Sequence, residues 1–289
     1  MVKSMKELFN EIEEQFIETN GIHLHTIIIG SGEPLILLHG FPDFWYGWKN
    51  VILGLKDKFK LIIPDMRGYN LSDKPKGTNN YNLKILVEDI RGISETLNID
   101  KFNLAGHDWG GVVAWAFAEK YPTKLTKLII LNAPHPKIFQ EKLRTDKAQQ
   151  KASFYIFKFL EPEGESFLFE NDFMWLKMAV FDSMKNKKDF TDLDKQKYLE
   201  AWSQPDTILN GVNYYRANLS FDEWTGVINV PTLVIWGMKD AALLPQLLEG
   251  LSDYVKDLKI VKSEHSSHWI MHDDPELVNV NIENFIKNI

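Results

Sequence analysis

The chain has 289 residues, enough for one large domain with an insertion or for two ordinary domains, and its 44% hydrophobic and 25% charged residues are the make-up of a globular protein with a substantial core. A net charge of −7 provides no basic face for phosphates, which argues against nucleic acid as a partner, and the absence of cysteine excludes disulfides, thiolate metal ligands and a thiol nucleophile. Met1 to Asn20 reads as an acidic, helix-like stretch without a secretory leader pattern, and no apolar run reaches the length of a membrane span, so the expected location is cytoplasmic.

In chain order, short apolar runs bounded by Gly, Pro, Asp or Asn predict strands at Leu24 to Ile29, Leu35 to Leu38 and Leu61 to Ile63. A helix over Leu83 to Leu97, a strand at Phe102 to Leu104, a helix over Gly111 to Lys120 and a strand at Leu128 to Leu131 follow. After a long interruption come strands at Leu233 to Trp236 and Leu258 to Val261, with helices expected over Leu244 to Tyr254 and Pro275 to Ile286. The strands lack polar alternation, as strands buried on both faces do, and their alternation with helices implies an α/β fold with a doubly wound, mostly parallel sheet. The interruption between His135 and Val227 is helical and rich in aromatics, among them Phe154, Tyr155, Phe157, Phe159, Trp175, Tyr198, Trp202, Tyr214 and Tyr215. It reads as a cap over the strand ends, which divides the chain into core residues 1–134, cap residues 135–227 and core residues 228–289.

Ala105-Gly106-His107-Asp108-Trp109-Gly110-Gly111 follows a buried strand and opens a helix. Glycines two residues either side of a central residue are what a nucleophile elbow needs, where strand and helix pack tightly around one strained position. That position holds Asp108, where a serine would suit acyl transfer. A carboxylate attacking saturated carbon gives an ester that water can cleave, whereas a hydroxyl would give an inert ether, so the Asp points to epoxides or alkyl halides as substrates.

An ester intermediate needs a base, a group that orients the base, and donors for the oxyanion of hydrolysis. His268, in Glu264-His265-Ser266-Ser267-His268-Trp269, follows the last predicted strand, and Asp240 follows the strand before it. His265 shares the loop as second candidate for the base, while His107, His135 and His272 read as structural or solvated. His39-Gly40-Phe41-Pro42 forms a turn after the second predicted strand, and its Phe41 N–H, with the Trp109 N–H of the elbow, supplies the two oxyanion donors. A cis peptide before Pro42 suits such a turn.

These residues resemble the α/β-hydrolase-fold epoxide hydrolases, which are related to the haloalkane and fluoroacetate dehalogenases. The resemblance runs from about Gly21 to the C-terminus and rests on His39-Gly40-Phe41-Pro42-Asp43-Phe44-Trp45-Tyr46, on the stretch from Asp65 to Pro75, on the elbow and on Ser267-His268-Trp269. It implies two cap tyrosines that donate to the epoxide oxygen. Tyr155, in Phe154-Tyr155-Ile156-Phe157, and Tyr215, in Asn213-Tyr214-Tyr215-Arg216, match them, with Tyr214 and Tyr198 as fallbacks. The implied reaction opens a small apolar epoxide with water and uses neither metal nor organic cofactor. Dehalogenase features are mostly missing: fluoroacetate dehalogenases carry Arg where this chain has Trp109, and haloalkane dehalogenases, which share that Trp, have Asn or Glu in place of Phe41. Asn70 stands where the family commonly has Gly, a place Asn can fill because it tolerates left-handed backbone angles. Hydrolytic dehalogenation by the same triad is the rival reaction, and a ligand-binding fold relative without turnover is the third reading.

Overall fold

The computed structural model describes residues 11–288. Its eight strands form one sheet: β1 (Glu13–Thr19), β2 (Ile22–Ile29), β3 (Pro34–Leu38), β4 (Lys60–Pro64), β5 (Phe102–His107), β6 (Leu125–Leu131), β7 (Thr232–Gly237) and β8 (Leu258–Ser263). They lie in the order β1-β2-β4-β3-β5-β6-β7-β8, with β2 antiparallel to both neighbours and every later pair parallel. Strand β5 pairs with β3 on the side opposite β4, so the winding reverses direction between β3 and β5. A crevice opens beyond the carboxyl ends of strands at such a reversal, and it is where open α/β sheets bind their ligands.

The sheet is packed on both faces by helices α1 (Lys49–Leu55), α2 (Leu83–Thr96), α3 (Trp109–Lys120) and others. Strands β5 and β7 are buried from end to end, which is why they read as unbroken apolar runs. Between β6 and β7 the named elements are all helical: α4 (Pro136–Thr145), α5 (Lys147–Ala152), α6 (Phe154–Leu160), α7 (Glu170–Lys177), α8 (Asp192–Trp202) and α9 (Thr207–Ala217), with short turns between them. This segment is tied to the sheet by buried polar contacts. Lys49 of α1 meets Asp194 of α8 at 2.6 Å, the Trp202 indole donates to the Pro42 carbonyl at 2.7 Å, and the Tyr214 hydroxyl donates to the Arg67 carbonyl at 2.8 Å. The chain closes with α10 (Ile270–Asp273) and α11 (Pro275–Lys287), the latter capped by the Asp274 side chain. Among the described residues no helix is long and apolar enough to cross a membrane.

Three elements depart from the sequence reading. Glu13–Thr19 is a strand rather than helix, an edge strand whose Ile17 and Thr19 face inward while Glu18 is exposed; Met1 to Asn10 lie outside the described residues. An edge strand with one wet face carries charges that blur its alternation. Leu244 to Tyr254 forms two short 3₁₀ turns and no α-helix, because Pro245 opens the first and Gly250, at φ 75°, breaks the segment before the second. Strand β8, read as buried, is the other sheet edge and is largely exposed. Helix α1 went unread in the sequence. The Phe41–Pro42 peptide is cis, and Asn70 takes a left-handed φ of 40°, both as the sequence suggested.

Candidate active site

Asp108 stands between β5 and α3 with φ 50° and ψ −125°, a conformation that costs a non-glycine residue about 1–3 kcal/mol and persists only where the surroundings impose it. The glycines impose it. A Cβ on Gly110 would lie 2.3 Å from the Leu38 carbonyl oxygen, and one on Gly40 would lie 2.2 Å from Asp108 Oδ1, so neither β3 nor its following turn could approach the elbow with any larger residue there.

The carboxylate is held at the reversal point of the sheet. Phe41 N–H donates to Asp108 Oδ1 at 2.8 Å, and the Trp109 amide supports the same carboxylate, so the two amides expected to form an oxyanion hole converge on it. Burial pushes the Asp108 carboxyl above its usual range, opposed by the facing His268 and by those two amides. His268 Nε2 lies 3.6 Å from Asp108 Oδ2, and its Nδ1 lies 2.7 Å from Asp240 Oδ2. Asp240, just past β7, is itself fixed: its Oδ1 accepts from the Ala242 and Leu243 amides, both at 2.9 Å, and its Oδ2 accepts from the Asn132 side chain at 2.8 Å. Burial lowers the proton affinity of His268, but Asp240, Asp108 and Asp43 together outweigh it and raise the imidazole to about 9. His265 is exposed, so the neighbouring candidate for the base does not enter the site.

Tyr155 of α6 and Tyr215 of α9 face Asp108 from the helical segment, their rings 6.1 Å apart. Burial, then the Asp108 charge for Tyr155 and Tyr155 followed by Asp108 for Tyr215, push both phenols above their ordinary 10, so they stay protonated as hydrogen-bond donors. The fallback tyrosines are engaged elsewhere: Tyr214 with Arg67, and Tyr198 with His272 Nε2 at 3.3 Å. Two cavities meet at Asp108, Tyr155 and Tyr215, one almost wholly apolar and one more polar. Among the described residues no group of three or more His, Asp or Glu side chains is placed to hold a metal ion.

The sequence reading missed three contributors. Asp43, inside a quoted motif, is buried beside Asp108 and His268, and burial raises its carboxyl to about 7. Asn132, at φ 37° after β6, ties the end of β7 to Asp240. His107 packs 4.5 Å from the His268 ring and its Nε2 lies 2.9 Å from the His268 carbonyl oxygen; burial keeps it neutral, so Nε2–H is the donor. His107, His135 and His272 are all buried, which makes them structural rather than solvated. Asn132 is signalled by its place directly after β6 and Asp43 only by lying in the turn that follows β3; nothing in the sequence signals the hydrogen bond of His107.

An α/β hydrolase fold family model matches residues 33–275. The AB hydrolase superfamily protein YfhM of Bacillus subtilis is 40% identical over 280 residues, covering 95% of this chain and 98% of that protein. Epoxide hydrolase 1 of Caenorhabditis elegans is 37% identical, covering 98% of this chain and 73% of the relative. The crystal structure of a Bacillus megaterium epoxide hydrolase in complex with an inhibitor superposes with a TM-score of 0.89 at 36% identity, over 94% of this chain and 100% of that one. The chain therefore belongs to the α/β hydrolase fold family, in the branch of enzymes that holds the epoxide hydrolases.

Proposed function

We propose that this enzyme hydrolyses an epoxide to a vicinal diol through a covalent ester on Asp108, with residues 135–227 as a cap over a core of residues 1–134 and 228–289. The observation that carries the reading is the pair of protonated phenols, Tyr155 and Tyr215, facing a carboxylate held at the turn between β5 and α3 where two cavities meet. An epoxide placed there puts its oxygen against two donors and a ring carbon against Asp108 Oδ2. Attack forms the Asp108 O–C bond and breaks the ring C–O bond, and the phenols stabilise the alkoxide and protonate it.

His268 serves the second step. Its imidazolium pairs with the Asp108 carboxylate in the resting enzyme; once the ester has removed that charge, the imidazolium gives up its proton, which restores the phenol that protonated the alkoxide, and the neutral imidazole can then take a proton from water. Hydroxide adds to the ester carbonyl carbon, the Phe41 and Trp109 amides receive the oxyanion, and collapse releases the diol and restores the carboxylate. Asp240 keeps the Nδ1 proton in place and the ring aligned.

Dehalogenation fits less well, since a halide needs donors of its own and the Trp109 indole is engaged by Tyr215, ring to ring at 5.1 Å. Purified protein incubated with a panel of epoxides and haloalkanes, beside an Asp108→Ala control, tests the assignment. Diol release that the control abolishes supports it; halide release without diol assigns the same nucleophile to the rival reaction.

A further inference from the structure

The two cavities that meet at Asp108, Tyr155 and Tyr215 differ in chemistry. The first, of about 160 Å³, is walled by Val112, Phe139, Leu143, Leu160, Leu219 and Phe221, and Asp108 is the one charged group that borders it. The second, of about 250 Å³, is bordered by His268, Ser183, Ser267, Lys185 and Lys239. His268 lines the second lobe and not the first. Because its Nε2 is only 3.6 Å from Asp108 Oδ2, a water within reach of both the ester carbonyl and the base has to lie on the second-lobe side.

A water molecule needs roughly 10–15 Å³ and two to four polar partners to occupy a site stably. The second lobe offers room, the base His268 and the Asp108 carboxylate together, and its exposed Lys185 and Lys239 connect it with solvent; the first lobe, though Gln140 and Asn218 border it, lacks the base. We infer that the lobes divide the reaction: the apolar lobe takes the carbon arm of the epoxide and the polar lobe supplies the hydrolytic water, so the enzyme favours epoxides substituted on one side of the ring. The inference rests on the ester mechanism proposed above. In the hydrolytic step a water O–C bond forms at the Asp108 carbonyl, the proton passes to His268 Nε2, the ester C–O bond breaks, and the leaving alkoxide takes up that proton. A second arm pushed into the polar lobe displaces the water that starts this step. The ester still forms, and then persists.

Styrene oxide and trans-β-methylstyrene oxide probe the division, with rapid-quench intact-mass measurement of the adduct and parallel measurement of diol. The disubstituted compound is expected to accumulate the adduct on the wild-type enzyme, and styrene oxide is not. Ala179→Phe narrows the polar lobe at a half-buried position whose carbonyl still accepts the Trp269 indole N–H. With styrene oxide it should leave ester formation within about twofold of wild type and slow ester breakdown by at least about tenfold. Leu143→Trp narrows the apolar lobe and should slow ester formation about tenfold while leaving breakdown within about twofold. Ala152→Phe, which enters the polar lobe from α5, repeats the test should Ala179→Phe misfold. Breakdown at the wild-type rate in the polar-lobe variants, or slowed ester formation without adduct, overturns the division while leaving the epoxide assignment standing. Absence of adduct and diol from wild-type enzyme with every epoxide overturns the assignment itself.

Discussion

Asp108→Asn keeps the shape of the side chain and removes its charge, as ester formation does, and so isolates what that charge does to His268. The separation of Asp108 Oδ2 and His268 Nε2 is 3.6 Å. At an effective dielectric of about 20 such a pair is worth roughly 4–5 kcal/mol, or about three powers of ten in proton affinity. Burial alone would lower the imidazole, and it stands at about 9 because Asp240, Asp108 and Asp43 outweigh that burial. Removing one of the three charges should therefore bring its titration down by at least about two pH units, to the range where the ring is a free base at neutral pH. The His268 ring resonances, followed by NMR titration in both proteins, measure this directly. An unchanged midpoint would mean that Asp240 and Asp43 alone hold the imidazolium, and that alkylation of Asp108 does not release the base. In that case ester hydrolysis would have to climb with pH up to about 9.

Tyr215→Phe and Tyr155→Phe each remove one donor to the developing alkoxide and should slow ester formation about tenfold to a hundredfold while leaving ester breakdown nearly unchanged, as single-turnover kinetics will report. Asp240→Asn leaves His268 without its anionic partner and should cause the ester to accumulate, with turnover reduced by about 10³ or more. Asp194→Leu strands Lys49, whose side chain is 4% exposed, and should cost about 3–5 kcal/mol in urea unfolding; adding Lys49→Met should recover most of the loss, and no recovery would refute a pairing role. His39 and His135 are lowered by burial to about 4 and His272 to about 3, so the unfolded chain binds protons before the folded one does. Stability should fall as pH drops from 6.5 toward 4 and steepen the acid unfolding transition, with Asp43, raised to about 7, working in the opposite sense. A flat stability profile across that window would contradict the buried neutral histidines.

Much of the site could be read from the sequence because backbone constraints leave local marks. Gly106, Gly110 and Gly111 around Asp108, and Gly40 before Phe41, are spaced by how closely β3, β5 and α3 approach one another. Asp240 and His268 fall just after apolar runs, and the carboxyl ends of parallel strands necessarily gather at one edge of the sheet. Tyr155 and Tyr215 are marked by their motif context and not by any periodicity, since a phenol facing a cavity from an aromatic helix has the same pattern as a packed one.

What the sequence determined alone was the alternation of buried strands with helices, the long helical stretch between β6 and β7, and a carboxylate in place of a hydroxyl at the turn between β5 and α3. The tertiary structure decided the rest because it depends on through-space contact between distant segments. It made β1 an edge strand, set a third carboxylate beside His268, tied the His268 loop to His107, and left two cavities that meet at Asp108, of which one is bordered by His268. The cavities depend on how α5, α6 and α9 pack over Asp108, and long-range contacts of this kind leave no periodic signal in the order of residues.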